Sequence, residues 1–423
     1  MNISLGGLQE RREQAVLTNQ NSKERMARAG NVIRGEWHKV WPDFTITQTE
    51  PSVENIFLEA AEDKSATAAA IPANFDVPPR RGTRSDGAEK NAQLSRRVFV
   101  TLAQNSRLDE LQIGFYSDWF VYGIVAGLAW RDWTDMTSMP FVEQIEPRHF
   151  FPMSWNARGQ LAEGMIIRRR RLADLVREYG PTNAGFADVM SGSDVRDYYE
   201  ELWWADGDHW AIAIGTSDRA SGGDMSYRTP TTGATTNRSF GWLRAPSEHR
   251  MNGCPMVSVK AFSPDREIRG KLDPMLPPLK MAHGLNMELW ESVIRSLHWP
   301  VVAQNILDIE EFGEDAVLQG VRGPDKAFLS TDRPAPNFEA FTHVESQLNA
   351  SRGAGAFPMQ RSGDPGASIA SGQAVSMLQG SYNAQQSWAQ RDMATFYTDM
   401  FGRLASMDEA WSEGERMIDG FDA

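Results

Sequence analysis

The sequence predicts an α+β fold, mainly helical. Three observations carry the prediction. Apolar residues recur at helical spacing near both ends of the chain, and short alternating runs bounded by turn residues cluster between positions 141 and 262. From Ser371 to Met407 there is no proline, and the glycines are Gly372, Gly380 and Gly402. The 423 residues suffice for two or three packed substructures of roughly 100–200 residues each. A hydrophobic share of 41% supplies the apolar surface for a sizeable core.

From Leu8 to Trp41 the placing of Ala15, Leu17, Met26, Val32, Ile33, Trp37 and Val40 predicts a helix, broken at Gly30 and ended by Pro42. A second helix follows Pro51, with Ser52 as its N-cap ahead of Ile56 and Leu58. Pro78, Pro79, Gly82 and Gly87 mark residues 73–89 as an exposed loop. Residues 90–133 read as two helices, 95–104 and 108–129. The apolar run Trp119–Trp130 inside the second is shorter than the ~20 residues a bilayer span needs, so it reads as a buried helix.

Residues 141–153 and 161–168 have the β-branched, turn-bounded look of strands, and a short helix at 172–179 stops at Gly180-Pro181. Two alternating runs in 197–216 meet at Asp206-Gly207-Asp208, a hairpin signal. A Gly, Thr and Ser-rich loop at 217–239 precedes a last strand, 256–262. After Gly270 the character changes. Leu279, Leu285, Leu289, Val293 and Leu297 predict a helix of about five turns up to Trp299-Pro300. An acidic patch (Asp308, Glu310, Glu311, Glu314, Asp315), a helix near 340–351, a glycine-rich loop and the long helix 371–407 of about 50 Å follow. No internal repeat stands out.

The sequence carries no recognisable motif for catalysis or metal binding. Cys254 is the single cysteine, which excludes an internal disulfide and a multi-cysteine zinc site; in its Asn-Gly-Cys-Pro turn it reads as a small buried hydrophobe. The seven histidines, among them His38, His149, His209, His249 and His283, have no metal-ligand spacing and read as ordinary polar residues. Gly6-Gly7 and Gly353–Gly355 lack the Lys-Ser/Thr of a P-loop, and there is no G-x-S-x-G elbow. The acidic pairs Glu200-Glu201 and Glu310-Glu311 read as surface carboxylates. The run Arg168–Arg171 reads as a solvated face or an inter-subunit ion-pair partner in preference to a phosphate site. Residues 1–20 lack the basic start and apolar core of a signal peptide, so export by that route is not expected. No catalytic residue, metal or cofactor is expected. The net charge of -13 argues against a protein that clamps nucleic acid, yet suits a wall along which a polyanion must slide.

In the order of its elements the chain resembles the portal proteins of tailed bacteriophages, the head-to-tail connector family, over most of its length. Val53–Ala69 and Val142–Phe151 (VEQIEPRHFF) are similar to the wing of portals. Gly270–Gln304 looks like the first stem helix entering the clip, and Gly366–Leu378 (GASIASGQAVSML) resembles the turn beside the tunnel loop. The resemblance implies a wing (1–270), a stem helix (271–299), a small α/β clip (300–336), a second stem helix (337–352), a tunnel-loop region (353–372), a long wing helix (373–406) and a minimal crown (407–423). Portals often carry a longer crown, and here only 407–423 would supply it.

The resemblance further implies that twelve copies close into a ring at one capsid vertex, each showing different faces to its two neighbours. Lys280, Glu291 and Arg295 would face the DNA channel, and Gly366, Ser368 and Ser371 would form the tunnel loop, where small residues let the backbone approach DNA. Asp308, Glu310, Glu311, Glu314 and Asp315 would dock partners at the clip. The implied partners are further copies of the chain, the major capsid protein, the terminase large subunit, the head-tail adaptor, a scaffold protein and double-stranded DNA in transit, with no membrane. The implied location is the virion, reached from the host cytoplasm during assembly. Two other readings stay open: another virion structural protein (a capsid-associated or baseplate subunit), and a cytosolic hydrolase.

Overall fold

The structure is a computed structural model, and it describes residues 3–42, 54–78, 86–132, 137–190, 198–216, 240–297, 306–309, 318–321, 339–355 and 372–412. It is a mixture of helices and antiparallel sheet, as the α+β reading expects. The chain divides into two compact units. The first holds Met1–Asn31, Ala61–Asp273 and Gly380–Ala423; the second holds Val32–Ala60 and Pro274–Gln379.

The first unit is organised by a five-stranded antiparallel meander. Its strands are β3 (Phe150–Trp155), β4 (Leu161–Arg171), β5 (Tyr198–Ala205), β6 (His209–Thr216) and β7 (Phe240–Glu248), paired in chain order. Helix α1 (Leu5–Ile33) lays Leu8, Ala15 and Val16 on this sheet, against Phe151, Met165, Ile167, Leu202, Trp204, Ala211 and Ala213. Polar contacts fix its register. Arg12 grips Glu200, with Nη2 to Oε2 at 3.0 Å. Lys23 reaches the backbone oxygens of Pro147, at 2.6 Å, and Phe150.

A second sheet has the order β2 (Phe141–Gln144), β1 (Ile124–Trp130), β8 (Met256–Lys260), all antiparallel. Beside it run α4 (Asp86–Asn105), α5 (Leu108–Tyr122) and the 40-residue α10 (Gly372–Trp411). Met393, Phe396, Met400, Leu404 and Met407 of α10 recur every three or four residues and are fully buried or nearly so, which is the pattern of a helix with one face in the core. Two short helices, α6 (Leu172–Tyr179) and α7 (Ala184–Met190), complete the unit.

The second unit holds α2 (Trp37–Val40), the start of α3 (Ile56–Ala69), the helices α8 (Leu276–Leu297) and α9 (Glu339–Ala354), and the antiparallel pair β9 (Ile306–Ile309) and β10 (Leu318–Val321).

Several expectations hold closely: the short helix at 172–179, the hairpin across Asp206–Asp208, the strand at 256, and the helices near 279, 340 and 371. Others are corrected. The supposed helix 108–129 stops at Tyr122, because Gly123 takes a left-handed φ of 72° and the next seven residues form β1. A Cβ at Gly123 would lie 1.8 Å from the Arg269 carbonyl oxygen, so only glycine fits that turn. Buried strand and buried helix are equally apolar, so composition alone does not decide between them.

The first helix runs through Gly30 and turns instead at Gly35, φ 70°. The cap of α3 is Asn55, whose Oδ1 accepts the Leu58 N–H at 3.2 Å; Ser52 lies outside the described residues. The loop expected over 73–89 gives way to α4 at Asp86, nine residues ahead of the predicted helix start at Ser95. Residues 141–153 split between β2 and β3, in different sheets. β7 and α7 had no sequence expectation. The predicted loop 217–239 lies outside the described residues.

Candidate functional site

The second unit is built around two long helices. Pro277 and Pro278 occupy the first turn of α8, where the missing N–H groups have no intrahelical partner to lose. The start of α8 adjoins the end of α9, since Ser351 Oγ donates to the Met275 carbonyl at 2.9 Å. A Cβ on Gly355 would come within 2.4 Å of Met275 Sδ, so the chain approaches closely there. The two helices therefore pack antiparallel. The segment that joins them contains the β9/β10 pair, in which Asp308 opposes Gln319.

Leu279, Ala282, His283 and Leu289 form the buried stripe of α8. His283 packs against Trp37, ring centroids 4.0 Å apart, and Trp41 at 5.6 Å, while those two indoles stack on each other at 5.5 Å. Burial lowers the His283 pKa to about 4, so the imidazole is neutral near pH 7, and its Nε2 has no hydrogen-bond partner among the described residues. The expectation of an ordinary polar histidine is thus corrected to a core residue. Below this cluster Arg352 reaches Glu54 at 2.8 Å and Asn349 at 3.2 Å.

Of the expected channel residues, Lys280 is exposed and Glu291 half-buried on α8. At about 100° per residue the two lie within about 20° of each other, on the side opposite Ala282 and Leu289. Arg295 follows Glu291 by one helical turn; its backbone is helical and its side chain is outside the described residues. Gly366, Ser368, Ser371, Glu310, Glu311, Glu314 and Asp315 also lie outside the described residues. The helix also exposes Met281, by 58%, and Trp290, by 50%. Neither was singled out in the sequence.

The arginine run and the Glu200-Glu201 pair meet each other in the first unit. β4 and β5 pair so that Arg168 opposes Glu201 and Arg169 opposes Glu200. Neighbouring strand residues point to opposite faces. Glu200 therefore meets Arg12 of α1, while Glu201 accepts the Tyr179 hydroxyl at 2.6 Å and lies 3.4 Å from Arg170. Arg168 pairs with Glu143 at 2.6 Å and Arg170 with Glu178 at 2.6 Å. The carboxylates expected on the surface are buried, and the arginines are committed to partners within the chain. Cys254 is buried and free, and desolvation raises its pKa to about 12.

No family model matches this chain, and neither does any curated protein. Among the described residues there is no group of three potential metal-binding side chains, and no helix is long and apolar enough to cross a membrane.

Proposed function

We propose that this chain is a portal subunit of a tailed-bacteriophage head: a non-enzymatic ring at one capsid vertex through which double-stranded DNA is packaged and ejected. The observation that carries this reading is the antiparallel α8/α9 hairpin, joined through a segment bearing a small β-pair and followed by a 40-residue helix. That order is the stem, clip and long wing helix that the resemblance implies. Lys280 and Glu291 on one polar face, and a net charge of -13, favour a wall that binds the DNA backbone weakly.

In this reading α8 lines the channel, the clip around β9 and β10 receives the terminase large subunit and later the head-tail adaptor, and the outer surface of the ring meets the major capsid and scaffold proteins. The test is the mass and symmetry of the purified assembly, by native mass spectrometry and negative-stain class averages. A ring of about twelve copies with a central hole is expected. A monomer or dimer that persists at high concentration and with scaffold protein added would overturn the reading.

A further inference from the structure

The first unit contains a cavity of about 340 Å³ between the extended segment 71–77, α4, α5 and α10. That volume lies at the small end of the range of roughly 300–1,000 Å³ typical of ligand sites. Its wall is aromatic. Phe75 stands edge-on to Phe401 with centroids 4.7 Å apart, Phe99 is 6.3 Å from Phe75, and Tyr116 and Tyr397 line the cavity from α5 and α10. Gln112 donates to the Ile71 carbonyl at 2.8 Å and so ties the extended segment over it.

The charge is one-sided. Among the described residues no Lys, Arg or His lines the cavity, and the one carboxylate-bearing residue in its lining is Asp76, which is exposed and makes no ion pair with them. Burial raises the Tyr116 hydroxyl to about 12 and pushes Tyr397 higher, so both remain neutral phenols. Neutral aromatic faces carry negative potential, and with one carboxylate at the rim they attract an organic cation while repelling an anion.

We infer that this cavity is a binding site for a small organic amine with an apolar body of about one ring, its ring among Phe75, Phe99 and Phe401 and its ammonium on Asp76. The inference does not depend on the portal reading.

The test is calorimetric titration of the full chain with phenethylamine, 2-phenylethanol and phenylacetate, which share a ring and differ in charge. Saturable binding of phenethylamine is expected, about tenfold tighter than the alcohol, with phenylacetate weakest. Asp76→Asn, on an exposed segment where the fold should tolerate it, is expected to erase the preference for the amine. Ala394→Trp, at the exposed α10 wall, is expected to block all three. Absence of saturable phenethylamine binding, equal binding of the three probes, or an amine preference that survives Asp76→Asn would overturn the inference.

Discussion

Trp119 donates its indole N–H to the Asp392 carboxylate at 3.2 Å, joining α5 to α10 across 273 residues of sequence. Both side chains are buried, and Arg391 also reaches Asp392 at 3.2 Å. Trp119→Phe keeps an apolar ring but removes one donor from a buried carboxylate. A loss of about 1–3 kcal/mol is expected, read as a lower urea midpoint with an unchanged slope.

Lys64 is fully buried with its ammonium on the Gln385 side-chain oxygen and 5.6 Å from the Phe120 ring, and desolvation lowers its pKa to about 8. Between about pH 8 and 10.5 the unfolded chain binds more protons at this site than the folded one, so its contribution to stability rises with pH over that window. Lys64→Met is expected to stabilise by about 1–3 kcal/mol at pH 7, and the gap to the wild type should close as pH rises towards 10. Urea unfolding of both proteins at several pH values checks this; a gap independent of pH would contradict it.

Asp118 has the opposite sign. Burial raises its carboxyl to about 8, and Gln144 Nε2 donates to it at 2.7 Å. The folded group stays protonated where the unfolded one ionises, so stability is lost as pH rises from about 4 to 8. Asp118→Asn keeps an acceptor for Gln144 and removes the ionisation. The variant should match the wild type near pH 4 and exceed it by roughly 2–4 kcal/mol at pH 7. Unfolding midpoints that differ equally at both pH values would count against this account.

Gly123→Ala puts a Cβ 1.8 Å from a backbone oxygen at a left-handed φ of 72°. The conformation alone costs about 1–2 kcal/mol, and the clash adds to it. Soluble yield and melting temperature should both fall sharply, whereas Gly159→Ala, also left-handed but with open space around it, should show only the smaller conformational loss.

Under the portal reading, Gly366→Pro and Ser371→Trp are expected to leave ring assembly intact and to reduce the DNA packaged per head. Unchanged packaging in both variants would remove these residues from the tunnel-loop role.

Where a helix repeats its apolar residues over several turns, as α8, α9 and α10 do, or where Asp-Gly joins two alternating runs, as between β5 and β6, the local pattern suffices to determine the element. The apolar run 119–130 is different. Its chemistry suits a buried helix and a buried strand equally, and the change at Gly123 depends on the close approach of Arg269, 146 positions later. The burial of Glu200 and Glu201 beside the arginine run depends on strand register, which sets Glu201 opposite Arg168 and Glu200 opposite Arg169. The amine cavity needs residues 71–77 and 390–401 to converge, and Asp76 draws its meaning from aromatic rings distant in sequence. Local periodicity thus determined α8, α9, α10 and the β5–β6 hairpin. Which buried face, partner or cavity each side chain serves was decided by long-range packing, because burial and electrostatics arise only between segments that folding brings together.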